Sequence, residues 1–287
     1  MKFEEIKTIV VIGSGNMGRQ IALNIALHGY RVIVHDVSEA ALEGAKNWTG
    51  EYLAGRVAKG RMTRERVDEA EACLTFEPDF KRAAEQADVV IEAAIENLEA
   101  KKELFQNLDI ACPPHTILAT NSSSIVSSKL ASMTGRPDRV LNMHYFNPAM
   151  VMELVEVAMN PWTSEESAQM IMQLCRSTGK TPILLRKEIR SFVVNRLMDG
   201  IFKEAFYLLD QGVATVEEID IAAEKGLKHP MGPFKLLDQI GIDVSYTVRA
   251  EYYKETGDEA NRPSHILEDK VKEGKLGRKT GEGFYQY

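Results

Sequence analysis

Cysteine is scarce in this chain. Three are present in 287 residues, Cys73, Cys112 and Cys175, widely spaced and without a CxxC pair. An odd, scattered set builds no disulfide framework and no zinc site, and it suits the reducing cytoplasm, where the protein is expected. No metal is expected. Basic charge is in deficit: 35 Lys+Arg against 42 Asp+Glu leave a formal net charge of -7. A phosphate-backbone binder carries a basic excess or stripe, so no nucleic-acid partner is expected. No apolar run approaches the ~18–20 residues of a membrane span, which argues against a membrane partner. The opening MKFEEIKTIVVIGSG has early acids and enters a glycine-rich turn, unlike a signal or transit peptide. Internal repeats and low-complexity tracts are missing too. What remains is an ordinary globular composition, 27% charged and 44% hydrophobic, with enough apolar residues for a sizeable core. At roughly 100–200 residues per domain, the length suggests about two domains.

Up to about residue 185 short apolar runs alternate with helical-period segments. Residues 8–12, 31–35, 89–94 and 116–120 read as strands, and 16–27 and 98–110 as helices. Apolar runs without alternation suit strands covered on both faces, as in a parallel sheet. Strands alternating with helices predict a doubly wound, Rossmann-type α/β domain. Residues 140–144 and 152–157 are two further strand-like runs with a short connection, which predicts an antiparallel pair. A helix over 165–177 and a last strand over 182–185 follow. The charged stretch 187–190 marks the expected junction, giving domains 1–186 and 187–287. Beyond it the pattern is helical: 192–209, 216–224, 233–239, 244–255 and 265–273. Along 192–209 the apolar stripe is too wide for one lightly packed face. It fits a central core helix, a dimer contact, or both. The second domain is therefore expected to be small and all-α.

Gly13-Ser14-Gly15-Asn16-Met17-Gly18 is a GxGxxG. Glycines at this spacing also occur in plain turns, so context decides. Here the motif follows a predicted strand, opens a predicted helix, and precedes a second strand ending at Asp36. Gly13 would permit the tight turn, Gly15 a close pyrophosphate, and Gly18 close helix–strand packing. The free N–H groups of the helix start favour the anion. Asp36 stands where a carboxylate would accept from the adenosine ribose hydroxyls. A 2′-phosphate would meet like charge there, and the following Val37-Ser38-Glu39 offers no Arg, so NAD is expected over NADP.

Oxidising an alcohol with a nicotinamide requires a group that takes the hydroxyl proton, and histidine titrates in the useful range. Of the six histidines, His144 ends a strand whose C-terminal end should face the ligand crevice. Glu156, twelve residues on, lies on the predicted antiparallel partner, and a hairpin can return it to the level of His144. Such a carboxylate would fix the tautomer and stabilise the imidazolium. Spacing alone leaves open a hydrogen-bonded strand histidine and a surface glutamate. Asn121-Ser122-Ser123-Ser124 follows the strand 116–120 at the same edge. Its hydroxyls could hold a substrate oxygen or cap the next helix. Asn195, near the start of the long helix, could donate to a carbonyl.

Taken in order, several segments resemble the 3-hydroxyacyl-CoA dehydrogenase family over essentially the whole chain. They are GSGNMG (13–18), ADVVIEAAIENLEAKKELF (87–105), ATNSSS (119–124), MHYFNP (143–148), MELVEV (152–157), FVVNRL (192–197), HPMGPFKLLDQIGID (229–243) and GRKTGEGFYQY (277–287). The resemblance implies His144 as base and acid, Glu156 as its partner, Ser123 hydrogen-bonded to the reacting oxygen and Asn195 beside the thioester. It implies Glu96, Lys101, Asn147 and Lys279 near the cofactor, alongside the glycine-rich turn and Asp36. Basic residues on a helical hairpin after the second strand would meet CoA; here Arg56, Lys59 and Arg61 are the candidates, and a solvated helix face is the alternative.

The sequence also departs from the family pattern. Ser122 stands where the acyl-CoA enzymes usually have Thr. RSFVVNR (190–196) replaces a PGF-type start to the long helix, and Gly60 interrupts the basic run. SSSIVSSKL (122–130) is similar to the gulonate dehydrogenase and lambda-crystallin group, whereas MHYFNP favours the acyl-CoA branch. The expected function is NAD-dependent interconversion of a short (S)-3-hydroxyacyl-CoA and its 3-oxoacyl-CoA, with 3-hydroxybutyryl-CoA leading, in a homodimer. The rivals are a dehydrogenase of a CoA-free 3-hydroxy acid and a catalytically idle dinucleotide-binding or structural protein. The set His144, Glu156, Ser123 and Asn195 argues against the idle protein.

Overall fold

A computed structural model describes residues 2–287. By contacts the chain divides into two compact units between Phe192 and Val193. The first carries strands β1 (Thr8–Ile12), β2 (Arg31–His35), β3 (Leu74–Phe76), β4 (Val89–Glu92), β5 (Ile117–Thr120), β6 (Val140–Tyr145), β7 (Leu154–Met159) and β8 (Thr181–Leu185). Its helices are α1 (Asn16–Ala26), α2 (Glu39–Ala58), α3 (Arg64–Cys73), α4 (Phe80–Ala84), α5 (Leu98–Ala111), α6 (Ser128–Ala131) and α7 (Glu165–Ser177).

The strands form one sheet in the order β3-β2-β1-β4-β5-β6-β7-β8. Every neighbouring pair is parallel except β6 with β7. The apolar runs without alternation follow from burial on both faces. Ile9 and Val11 of β1 join a cluster with Ile21 and Ile25 of α1 and Leu174 of α7. Val10 and Ile12 point the other way, into a cluster with Phe105 and Leu108 of α5. This is a Rossmann-type α/β unit, as the alternating pattern predicts. The edge strand β3 escaped sequence reading because it has only three residues, none fully buried. The helical hairpin that the resemblance implies is α2 with α3. Ser38 and Thr63 cap them by accepting from Ala41 N (3.2 Å) and Arg66 N (3.4 Å).

The second unit is helical: α8 (Val194–Asp210), α9 (Val216–Ile221), α10 (Pro233–Ile240), α11 (Ile242–Thr256) and α12 (His265–Lys272). Phe202, Phe206, Ile219, Phe234, Leu237, Ile242 and Leu267 are its buried centre. Of the wide stripe on α8, Phe202, Ala205 and Phe206 are core, while Leu197 is 65% exposed.

The contact boundary falls six residues beyond the expected junction, and α8 begins two residues after its expected start. Ser191 (φ 66°) and Phe192 (φ 52°) are left-handed, a conformation that an α-helix cannot include. Phe192 is fully buried against Ala158 and Leu185, which ties it to the first unit. No helix among the described residues is long and apolar enough to cross a membrane.

Candidate active site

The C-terminal ends of β1, β4, β5 and β6 share one edge of the sheet. Gly13 leaves β1 with φ 98°, and a Cβ there would sit 2.5 Å from the Ala93 carbonyl oxygen. A Cβ on Gly18 would lie 1.8 Å from the Gly13 oxygen, so the approach of α1 to the turn requires glycine. At Gly15 a Cβ would meet no atom within 4 Å. That space is open, and Gly15 caps α1 without a side chain, leaving helix-start N–H groups for an anion. Ser14 donates to Asp36 Oδ2 from both its N–H and its hydroxyl, at 2.8 Å each, and Ser38 N–H donates to Oδ1 at 3.0 Å. Burial works to raise the Asp36 carboxyl, but these hydrogen bonds outweigh it and hold the group below its ordinary value. Asn16 Nδ2 donates to Asn147 Oδ1 at 3.2 Å, joining the turn to the loop after β6. The cradle fits a dinucleotide: an open backbone turn for the pyrophosphate and an ionised acid for the ribose.

On β6 and β7, His144 and Glu156 are direct register partners. His144 Nδ1 lies 2.9 Å from Glu156 Oε2. His144 is 7% exposed and Glu156 fully buried. A carboxylate only accepts, so Nδ1 carries the proton and a neutral ring keeps Nε2 as its acceptor. Phe146 meets the imidazole edge-on at 4.7 Å and Phe192 packs against it at a tilt at 5.4 Å, which holds the ring plane. The spacing alternative of a surface glutamate is thereby removed.

The loop after β5 is tied to β6 beside His144. Tyr145 N donates to Asn121 Oδ1 at 2.9 Å, and Asn142 Nδ2 donates to the carbonyls of Ser122 (3.2 Å) and Ile125 (3.1 Å). Ser191 N–H donates to the Ser123 carbonyl at 3.1 Å. The serines do not cap the next helix: α6 starts at Ser128, and its N-cap Ser127 makes no side-chain cap. Ser122 and Ser124 instead donate their hydroxyls to Glu96 Oε1. Lys101 Nζ lies 3.3 Å from Glu96 Oε2 and donates to the fully buried Glu92. Burial works to raise the Glu96 carboxyl, but the hydroxyls of Ser122 and Ser124 and the Lys101 ammonium hold it below its ordinary value.

The remaining expected residues are more scattered. Asn195 is the second residue of α8, in the second unit. Lys279, also there, is clasped by Asp243 through Oδ1 at 2.5 Å and Oδ2 at 2.6 Å. That ammonium holds the Asp243 carboxyl below its usual value. Arg56 is half-buried near the end of α2, and Lys59 and Arg61 are exposed just beyond it. Three of the other five histidines are engaged elsewhere: His28 Nδ1 meets Asn24 O at 2.8 Å, His35 Nδ1 meets Glu77 O at 3.0 Å, and His115 Nε2 meets Asp88 Oδ1 at 3.0 Å. All three cysteines are free, and burial pushes the thiols of Cys112 and Cys175 up to about 12.

Sequence reasoning missed Glu92. The signal was an acid closing an apolar strand nine residues before Lys101. It also missed Val37 and Ile95, 96% and 73% exposed just beyond β2 and β4, on either side of the glycine-rich turn. Apolar residues placed directly after strand ends at a ligand-binding edge were their signal.

Residues 8–189 match the model of the 3-hydroxyacyl-CoA dehydrogenase NAD-binding domain, and residues 192–287 match that of the family's C-terminal domain. The chain belongs to the 3-hydroxyacyl-CoA dehydrogenase family. It is thus an NAD-dependent dehydrogenase of that family, with its NAD-binding domain in the first unit. Among relatives, it is 41% identical over 283 residues to the probable 3-hydroxybutyryl-CoA dehydrogenase of Bacillus subtilis, covering 99% of this chain and 98% of that one. Among solved structures, the (S)-3-hydroxybutyryl-CoA dehydrogenase of Ralstonia eutropha superposes with a TM-score of 0.92 at 36% identity, covering 99% of both chains. A diketoreductase described for dicarbonyl compounds superposes with a TM-score of 0.88 at 32% identity, covering 98% of this chain and 99% of that one.

Proposed function

We propose that the protein interconverts a short (S)-3-hydroxyacyl-CoA and its 3-oxoacyl-CoA, with 3-hydroxybutyryl-CoA and acetoacetyl-CoA as the leading pair. The observation that carries this reading is the register-paired His144 and Glu156 at the ligand-facing sheet edge. NAD, when bound, supplies the hydride acceptor. His144 Nε2 takes the hydroxyl proton in oxidation and returns it in reduction. Glu156 holds the tautomer and stabilises the imidazolium through Nδ1. Ser123 hydrogen-bonds the reacting oxygen and Asn195 stands beside the thioester. Asp36, Glu96, Lys101, Asn147 and Lys279 hold the dinucleotide. Val37 and Ile95 offer apolar surface for its adenine ring. Arg56, Lys59 and Arg61 attract the CoA phosphates. Reduced, widely spaced cysteines support a cytoplasmic setting, and the exposed Leu197 on α8 supports a homodimer.

A second reading has its own support. The diketoreductase likeness, together with Ser122 in place of the usual Thr, favours a CoA-free 3-oxo acid or dicarbonyl. NADH-linked reduction of acetoacetyl-CoA, compared with a free 3-oxo acid, tests the choice. A higher kcat/KM on the thioester is expected, and preference for the free acid would move the assignment to the second reading.

A further inference from the structure

A chain of charged and hydroxyl side chains joins the cofactor side of the sheet edge to the loop carrying Ser123. Glu92, fully buried at the end of β4, accepts from Lys101 Nζ, from Ala94 N–H at 2.7 Å and from Thr120 Oγ1 at 2.6 Å. Lys101 is 2% exposed, so its ammonium is aimed by Glu92 rather than by solvent. The same ammonium faces Glu96 Oε2 at 3.3 Å. The other Glu96 oxygen takes the hydroxyls of Ser122 and Ser124, the residues on either side of Ser123. Ser122 is the tighter joint. It is 6% exposed, and its Oγ also accepts from Ile125 N–H at 2.8 Å and Ser124 N–H at 3.3 Å. One hydroxyl therefore both closes the turn around Ser123 and grips the carboxylate of Glu96.

We propose that Ser122 is a positioning residue that couples Glu96 on the cofactor side to Ser123 on the substrate side, with Glu92 and Lys101 as the buried anchor. This rests on the reading above, in which Glu96 and Lys101 hold the dinucleotide and Ser123 meets the substrate oxygen. Placing the dinucleotide then also places the Ser123 turn, so the two ligands assist each other. The linkage is reciprocal: each raises the affinity of the other by the same factor.

The test uses the full chain with the substitutions Ser122→Ala, Ser122→Thr and Ser123→Ala. Affinity for acetoacetyl-CoA is measured with and without NAD, and steady-state kinetics are run with NADH. Wild type should bind acetoacetyl-CoA more tightly when NAD is present. Ser122→Ala should lose that linkage and drop kcat/KM by about tenfold or more, the scale of a hydrogen bond to a charged group. Ser122→Thr keeps the γ-hydroxyl and should restore both. Unchanged linkage and kinetics in Ser122→Ala would overturn the proposal. So would a loss of kcat that Ser122→Thr fails to recover while the linkage persists, since the hydroxyl would then serve packing alone. If wild type turns over no 3-oxo substrate, or Ser123→Ala is as active as wild type, it is the functional reading that falls.

Discussion

The two units bury carboxylates to opposite ends. In the second unit, Asp220 and Asp238 are 0% and 1% exposed. Asp220 accepts from Phe234 N at 2.8 Å, Lys235 N at 3.0 Å and Tyr285 OH at 2.8 Å. Asp238 accepts from Phe284 N at 2.8 Å, Tyr285 N at 2.9 Å and Tyr287 OH at 3.1 Å. Asp220 caps backbone N–H groups at the start of α10, and Asp238 caps those of the last residues, which would otherwise be left unmet. In the first unit, Glu92 and Glu156, each fully buried, face titratable side chains, Lys101 and His144. Burial alone does not separate a structural acid from a functional one. The partners differ: Asp220 and Asp238 hold backbone N–H groups and tyrosine hydroxyls in place, whereas Glu92 and Glu156 aim an ammonium and an imidazole beside the C-terminal ends of the strands.

The sharpest way to break this contrast is His144→Gln. Turnover should fall by ~10²–10⁴-fold, the usual worth of general acid–base help, with NADH fluorescence binding kept. Near-normal turnover in the folded variant would remove the imidazole from the chemistry.

A direct comparison pairs Glu156→Gln with Asp238→Asn. The first should slow turnover by more than tenfold, since the tautomer and imidazolium lose their support. Asp238→Asn should cost about 1–3 kcal/mol of stability per donor left unmet, with kcat per folded molecule retained. Thermal melts beside active-site-normalised rates read both. Equal losses of rate would erase the distinction between the units.

A smaller effect concerns Asp36. Asp36→Ala should weaken NADH and improve NADPH relative to it, because the like-charge clash is gone. Wild-type preference for NADPH would contradict the assignment. The hydrogen bonds to Asp36 lower its carboxyl in the fold. Their stabilisation is complete above the ordinary carboxylate range and fades as pH falls through the lowered value. The Tm gap between wild type and Asp36→Ala should shrink over that acid window.

Smallest is the basic cluster. Neutralising Arg56, Lys59 and Arg61 together should raise KM for acetoacetyl-CoA with kcat nearly kept, since remote contacts act on binding. Added salt should narrow the difference. A thioester lacking the nucleotide should show little change, and an equal change on both substrates would place CoA elsewhere.

Much of this was legible in the chain itself. Continuous apolar runs announced strands covered on both faces, and β1, β2 and β5 fall within a residue of expectation. The unit glycine turn–helix–strand–Asp36 was readable because a tight turn and a close helix approach each demand glycine at one spacing. His144 and Glu156 were legible as candidates, because a hairpin of that length can bring them level. The offset of β7 by two residues and the late start of α8 were not legible. Strand register depends on which side chains the neighbouring sheet and helices can cover, and the left-handed pair Ser191-Phe192 depends on the pocket that buries Phe192.

The sequence by itself determined the Rossmann-type first unit, the helical second unit and the residues available for dinucleotide and proton chemistry. These are local or periodic properties, set by backbone sterics and by which faces must leave water. Only the tertiary structure decided what each charged group faces. It put Glu156 level with His144, buried Glu92 under Lys101, turned Ser122 and Ser124 onto Glu96 and sent Asp238 to the C-terminal tail. Those pairings join residues from 9 to 49 positions apart. They are chosen by the requirement that every buried polar group find a partner, a condition on the folded packing as a whole that spacing along the chain does not carry.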